Sequence, residues 1–198
     1  MTESASDIID QLVGIAPGSA LDAVRARRPQ ARANAERSYR ELFAPQAAEG
    51  LPLRERLAVA AFVARLHRSE PTAGHYADLL VETTRDSPLA IAVAAAADSG
   101  AAQGPYGHFP SLELRPEDRD GPTWAPDPEQ AAALGPRLTA AFAHAHLIVF
   151  HPRDAGPDAL RALLAAGFST TEIVTLSQAI AFLSFQIRVI EGLRLIAG

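Results

Sequence analysis

Apolar residues recur at alternating steps of three and four along the last part of the chain. The residues that follow this rule are Ile173, Leu176, Ile180, Leu183, Ile187 and Ile190. Such spacing is typical of a helix that buries one stripe against other helices. It predicts a helix over about 170–196. This helix would form either the centre of a helical bundle or a subunit interface.

Similar patterns, together with capping residues, predict helices along most of the chain. They cover about 5–14, 20–27, 29–43, 53–67, 69–85, 88–102, 129–150 and 157–166. Between about 103 and 128 the helical pattern stops, because six prolines remove backbone donors. A loop of this length is uncommon in a compact domain, and this one carries Trp124. We expect it to pack as an arm over a neighbouring subunit or a pocket mouth.

The composition agrees with a helical protein. Apolar residues make up 48% of the chain, aromatic residues 6%, and alanine is abundant, which favours closely packed helices over a β-sandwich. A chain of 198 residues can bury one sizeable core. The sequence therefore predicts an all-α fold and a single domain over 1–198, with the proline-rich loop at about 103–128.

Several classes of chemistry are excluded by what the chain lacks. It has no cysteine, which removes thiol peroxidase activity and disulfide exchange. All 18 basic residues are arginine, so no lysine is available for a Schiff base. A net charge of −5 argues against nucleic acid as a partner. The first ten residues do not resemble a signal peptide, and the run 89–97 is too short to span a membrane. We expect a cytoplasmic protein without a membrane partner.

Two stretches carry a resemblance to a known family. Residues 140–152 read AAFAHAHLIVFHP, and residues 159–193 read ALRALLAAGFSTTEIVTLSQAIAFLSFQIRVIEGL. They resemble the peroxidase-related branch of the alkylhydroperoxidase D and carboxymuconolactone decarboxylase family. Glu172 and Arg188 match residues of that branch, whereas Ser184 and Ile187 replace two asparagines. The resemblance implies an alkylhydroperoxidase D-like bundle of about eight helices.

The family's reactive segment, which contains C-x-x-C-x-x-x-H, has its counterpart within residues 51–80. In one register Ser69 and Thr72 take the cysteine positions, and Tyr76 takes that of the histidine. In the other register, which is set by His75, the cysteine positions fall on Arg68 and Pro71. The resemblance thus identifies a relative without thiols. It further implies a homo-oligomer, as dimer, trimer or hexamer, or assembly with a cysteine-containing relative.

Three residues are candidates for catalysis without a thiol. His75 can exchange a proton near neutral pH, and the planar guanidinium of Arg188 suits a carboxylate. Glu172 precedes Ser184 by twelve residues, which matches the family spacing from its relay glutamate to its first cysteine and suggests two related halves. Position 57, a leucine, is the equivalent place in the first half, and Glu55 lies close enough to leave that register open.

Each candidate also has a structural interpretation. Ser69 and Thr72 suit a helix N-terminus, Glu172 completes a capping box with Ser169, and Arg188 shares a helix face with Glu191, which favours an ion pair.

Three histidines near the end of the helix over 129–150 raise the question of a metal. His144 and His146 are two residues apart, so they lie about 200° apart around a helix and cannot share an ion. His144 and His151 could share one. We nevertheless expect no metal and no cofactor.

Three functions are consistent with the sequence. The first is a non-catalytic or assembly subunit of the family. The second is a decarboxylase-like enzyme that uses acid and base groups on a small carboxylate substrate. The third is a small-molecule binding protein.

Overall fold

The regular secondary structure of this protein is helical. A computed structural model describes residues 7–45 and 50–197. The α-helices in those ranges are α1 (Ile8–Val13), α2 (Ala20–Ala26), α3 (Pro29–Phe43), α4 (Leu53–Leu66), α5 (Glu70–Thr84), α6 (Ser87–Ser99), α7 (Pro128–Phe150), α8 (Pro157–Ala165) and α9 (Thr170–Ala197). Apart from an isolated bridge between Gly107 and Arg119, these ranges contain no β-pairing. The predicted all-α class and the bundle of about eight helices are confirmed.

Most helix ends lie within two residues of the predicted ends, because local hydrogen bonds define them. Asp7 caps α1 by accepting a hydrogen bond from the Asp10 N–H at 2.9 Å. Asp127 and Gln130 form a capping box at the start of α7. The predicted start of the first helix, at 5, lies outside the described residues.

Helix α4 is the centre of the bundle. It packs against α5, α6, α7 and α9, and an unbroken run from Arg56 to Ala64 is buried. Phe62 stacks on Phe142 of α7 with ring centroids 4.2 Å apart. The large hydrophobic core of the described residues is built around this helix.

Helix α9 buries one face and exposes the other. All six residues of its predicted stripe are buried, which confirms that prediction. By length and composition α9 is the one helix of the described ranges that could cross a membrane, but half of its most apolar window is buried inside the protein. That burial is expected of a helix in a protein core.

The proline-rich loop packs on the core of its own chain. The ring centroids of Trp124 and Phe62 are 5.4 Å apart. The Tyr106 N–H donates to the carbonyl of Phe150 at 2.6 Å. A Cβ at Gly121 would lie 2.2 Å from the Tyr106 ring, so only glycine fits there. The loop therefore has a defined path, which places Trp124 in the wall of a pocket described below.

Candidate functional site

The turn between α4 and α5 carries the segment that resembles the family's reactive site. Arg68 has a positive φ of 57° and is exposed, whereas Ser69 and Thr72 are buried. The Ser69 Oγ lies 3.0 Å from the Thr72 Oγ1. This geometry favours the register with Ser69 and Thr72 at the cysteine positions, because only that register places two adjacent buried side chains there.

Both hydroxyls are part of a hydrogen-bonded chain that ends on α9. The Ser69 hydroxyl donates to the Glu191 Oε1 at 2.7 Å. Since its one proton is used in that bond, the Ser69 oxygen accepts the proton of Thr72. The Ser69 side chain makes no capping hydrogen bond. Ser69 occupies the N-cap position of α5, but the predicted cap by its side chain was wrong. The side chain joins α5 to α9 instead.

Tyr76, which takes the histidine position in this register, forms a second buried link to α9. Its hydroxyl donates to the Gln186 Oε1 at 2.7 Å, and both residues are fully buried. Burial raises the pKa of Tyr76 well above its ordinary value, and the nearby Tyr39 adds to the effect. Tyr76 is therefore a neutral hydrogen-bond donor rather than a group that exchanges protons near neutral pH.

His75 faces α3 and not the two hydroxyls. Its Nε2 lies 2.9 Å from the Tyr39 hydroxyl. Burial lowers the pKa of His75, while Asp78 and Glu82 oppose that shift. Within the described ranges no hydrogen bond joins His75 to the other predicted catalytic residues, Glu172 and Arg188.

Glu172 has two structural partners. It forms the predicted capping box with Ser169, whose N–H donates to the Glu172 Oε2 at 2.7 Å and whose Oγ accepts from the Glu172 N–H at 3.2 Å. The Arg137 Nη2 also donates to Glu172, at 2.7 Å. The pKa of Glu172 is lowered, first by the Ser169 N–H and then by the Ser169 hydroxyl and Arg137. The capping box is confirmed.

Arg137 of α7 connects α4 and α9 by binding one carboxylate on each, Glu55 and Glu172. Its Nε and Nη2 donate to the two carboxylate oxygens of Glu55 on α4, at 2.8 and 2.9 Å. Its guanidinium also lies 4.1 Å from the Phe168 ring centroid. Leu57 is fully buried in the apolar core. Glu55 and Glu172 are thus both bound by Arg137, and an apolar side chain occupies the equivalent of the relay position in the first half.

Arg188 is exposed on α9. It forms no ion pair within 4.0 Å in residues 7–45 and 50–197, so the predicted pair with Glu191 was wrong. The Glu191 carboxylate instead accepts the hydroxyl of Ser69 at 2.7 Å. Burial lowers the pKa of His67, and the charge of Arg188 lowers it further. Arg188 therefore lies near the α4–α5 turn. It shares no hydrogen bond with His75 or Glu172 in the described ranges, because His75 contacts Tyr39 and Glu172 bonds Arg137 and Ser169.

The three histidines at the end of α7 line a pocket with Trp124. His146 contacts the carbonyl oxygen of Gly100 at 3.1 Å. His151 contacts Asp154 at 3.1 Å and the carbonyl of Pro122 at 2.9 Å. The ring nitrogens of His144 have no partner in the described part of the chain. In that same part, no group of three or more histidine, aspartate or glutamate side chains is arranged to hold a metal ion.

The sequence predicts no partners for Arg137, Tyr76 and Gln186. A polar residue next to the apolar stripe of α9 would be expected on the exposed side. Gln186 is nevertheless buried, so the sequence alone gives little indication of its role. No family model matches this chain, and no curated protein matches it significantly. Membership of the alkylhydroperoxidase D and carboxymuconolactone decarboxylase family therefore stays a prediction from the residues that carry the resemblance.

Proposed function

We propose that this protein is a cysteine-free counterpart of the alkylhydroperoxidase D and carboxymuconolactone decarboxylase family that acts as a non-catalytic assembly subunit. The observation that carries the proposal is the bonded chain from Thr72 through Ser69 to Glu191. At the place where the family has its reactive thiols, this protein has two buried hydroxyls that are used to join α5 to α9.

The chemistry of this chain supports a structural role. A serine hydroxyl becomes a nucleophile only when a positioned base removes its proton, and a carboxylate is a weak base for that purpose. Ser69 is also buried, so a substrate has no access to it. The acid and base alternative lacks a shared site, because His75 bonds Tyr39 while Glu172 bonds Arg137 and Ser169.

The outer face of α9 is the surface we propose for assembly. Its members follow each other at steps of three and four and are Thr171, Val174, Gln178, Ala181, Phe185, Arg188, Gly192 and Leu195. Phe185 is 46% exposed and Leu195 is 85% exposed. Large apolar side chains grouped on one exposed helix face are typical of a contact with another subunit.

Gly192 supports the same surface. It lies inside α9, where glycine destabilises a helix by about 1 kcal/mol relative to alanine. Apart from its chain neighbours and the adjacent backbone of α9, no atom of the described residues comes within 4 Å of the position that a Cβ would take. The space over Gly192 is therefore open within this chain, and it lets a second helix approach closely.

Replacing Phe185 with glutamate is expected to convert a homo-oligomer into monomers, because the charge would be buried against an apolar partner surface. Size-exclusion chromatography with light scattering measures the change. Ile91→Glu is the matched control, since Ile91 is 70% exposed on α6 and lies outside the proposed surface. A wild-type protein that is monomeric at high concentration would refute assembly with itself.

The wild-type protein, freed of metal, is expected not to turn over an organic hydroperoxide, because it has no thiol. Turnover by the metal-free wild type would overturn the proposed loss of catalysis.

The Ser69→Cys, Thr72→Cys variant is expected to form a disulfide on oxidation, because the two side-chain oxygens are already 3.0 Å apart. Arg68→Cys with Pro71→Cys serves as the comparison for the other register and is expected to stay reduced. Free-thiol titration and mass spectrometry distinguish the two.

A further inference from the structure

The pocket beside α7 contains a buried histidine whose ring lacks a hydrogen-bond partner. The pocket has a volume of about 250 Å³ and lies between α7, α8 and the segment that carries Trp124. His144 lines it and is 6% exposed. Neither Nδ1 nor Nε2 of this ring has a partner within residues 7–45 and 50–197. Buried polar atoms are normally hydrogen-bonded, so this imidazole has bonding capacity for a molecule held in the pocket.

The other two histidines of the pocket are already bound to the protein. His146 contacts the carbonyl oxygen of Gly100, and both nitrogens of His151 contact protein oxygens. His144 is thus the polar group of the three with hydrogen-bonding capacity left for a ligand at both nitrogens.

The rest of the wall is mostly apolar and made of small side chains. Its members besides the histidines and Thr123 are Trp124, Ala140, Ala143, Leu147, Ala159 and Ala162. Among the described residues that line the pocket, none is arginine, aspartate or glutamate. A carboxylate or an ammonium group held against this wall would therefore lack a charged partner, which favours an uncharged ligand.

The size and the opening of the pocket limit the ligand further. An apolar cavity of about 150 Å³ holds a benzene molecule, so this pocket has room for one substituted ring and is smaller than most sites for drug-sized molecules. Ala143 and Ala162 are exposed, and the pocket opens to solvent on their side. The Trp124 ring provides a flat surface for an aromatic ligand.

Burial lowers the pKa of His144, so its ring is neutral at pH 7 and offers one donor nitrogen and one acceptor nitrogen. A ligand hydroxyl can donate to the acceptor nitrogen or accept from the donor nitrogen, and water can bond the nitrogen that remains. We propose that the pocket binds a small uncharged aromatic molecule of the phenol class, with its hydroxyl on His144 and its ring against Trp124. This inference goes beyond the proposed assembly and is independent of it, because no residue of the wall belongs to α9.

Binding of p-cresol, with toluene as the matched probe that lacks the hydroxyl, tests the proposal. Trp124 is the chain's one tryptophan, so its fluorescence, excited where p-cresol does not absorb, reports occupancy of this pocket. We expect a saturable change with p-cresol and an affinity about tenfold higher than for toluene, as one hydrogen bond provides. Calorimetry with the same two probes gives an independent measure.

Variants separate the hydroxyl contact from the pocket itself. His144→Leu is expected to remove the preference for p-cresol while toluene still binds, and His108→Leu, an exposed histidine outside the pocket, is expected to keep it. Ala143→Phe fills the opening and is expected to abolish binding of both probes. The proposal is overturned if p-cresol produces no saturable change in the wild type, which would leave water alone in the pocket. It is equally overturned if wild type and His144→Leu show the same preference.

Discussion

Replacing Arg137 with methionine is expected to lower the free energy of unfolding by about 2 kcal/mol, between the values for breaking an exposed and a buried ion pair. The guanidinium bonds Glu55 and Glu172 and donates to the Gly167 carbonyl at 2.7 Å. Methionine keeps an apolar stem over the Phe168 ring but leaves both carboxylates without their cation. Urea denaturation followed by circular dichroism measures the loss.

Arg65→Met is the control for Arg137→Met. Arg65 bonds both oxygens of Asp98 at 2.6 and 2.9 Å, but both side chains are exposed. Exposed pairs contribute about 0–1 kcal/mol, so this variant is expected to stay close to the wild type. Equal losses in the two variants would contradict a special role for Arg137.

The difference between the wild type and Arg137→Met is also expected to shrink at low pH. Because the folded pKa of Glu172 is lowered, ionised Glu172 stabilises the fold above the ordinary pKa of glutamate, about 4.3. This stabilisation is lost as the pH falls through the lowered folded pKa. The Ser169 N–H is the largest cause of the shift and remains in the variant, so the variant keeps part of this pH dependence. Denaturation curves at neutral and acidic pH provide the comparison.

Replacing Asp10 with alanine is expected to destabilise the protein by about 3 kcal/mol and to release α1 from the bundle. Asp10 is 1% exposed and accepts from Arg25 at 2.9 Å and from Arg32. Its loss leaves two largely buried guanidinium groups with fewer anionic partners. Denaturation gives the size of the effect, and hydrogen exchange of the α1 amides shows where it acts.

An exposed ion pair provides the control for Asp10→Ala. Arg161 donates to Asp158 on α8, where Asp158 is 92% exposed. Asp158→Ala is expected to change the free energy of unfolding by less than about 0.5 kcal/mol. Faster exchange throughout the chain in Asp10→Ala, instead of first in α1, would show that α1 does not open separately.

Residues at the candidate catalytic positions therefore stabilise helix contacts in this protein. Glu172 caps α9 and binds Arg137, and Ser69 joins α5 to α9. Because these groups are used in contacts within the protein, they support the proposed non-catalytic subunit. The phenol-binding pocket would give such a subunit a separate small-molecule function.

The helices and the buried face of α9 could be predicted from the sequence. Helix bounds depend on hydrogen bonds between residues three or four apart, such as Asp127 with Gln130, and these pairs are visible in the chain order. The stripe from Ile173 to Ile190 follows from the helical period alone. The absence of cysteine similarly excludes thiol chemistry, because no arrangement of the helices can supply a sulfhydryl group that the chain lacks.

The partners of the candidate site residues depend on the packing of distant helices. Ser69 and Glu191 are 122 residues apart, Tyr76 and Gln186 are 110 apart, and Glu55 and Arg137 are 82 apart. A residue pattern shows which face of a helix is apolar, but it does not show which helix that face meets or at what height along its axis. A shift of one turn, about 5.4 Å, would give Ser69 another partner. For this reason the residue types of the site were visible in the sequence, whereas their hydrogen bonds were decided by how the helices pack.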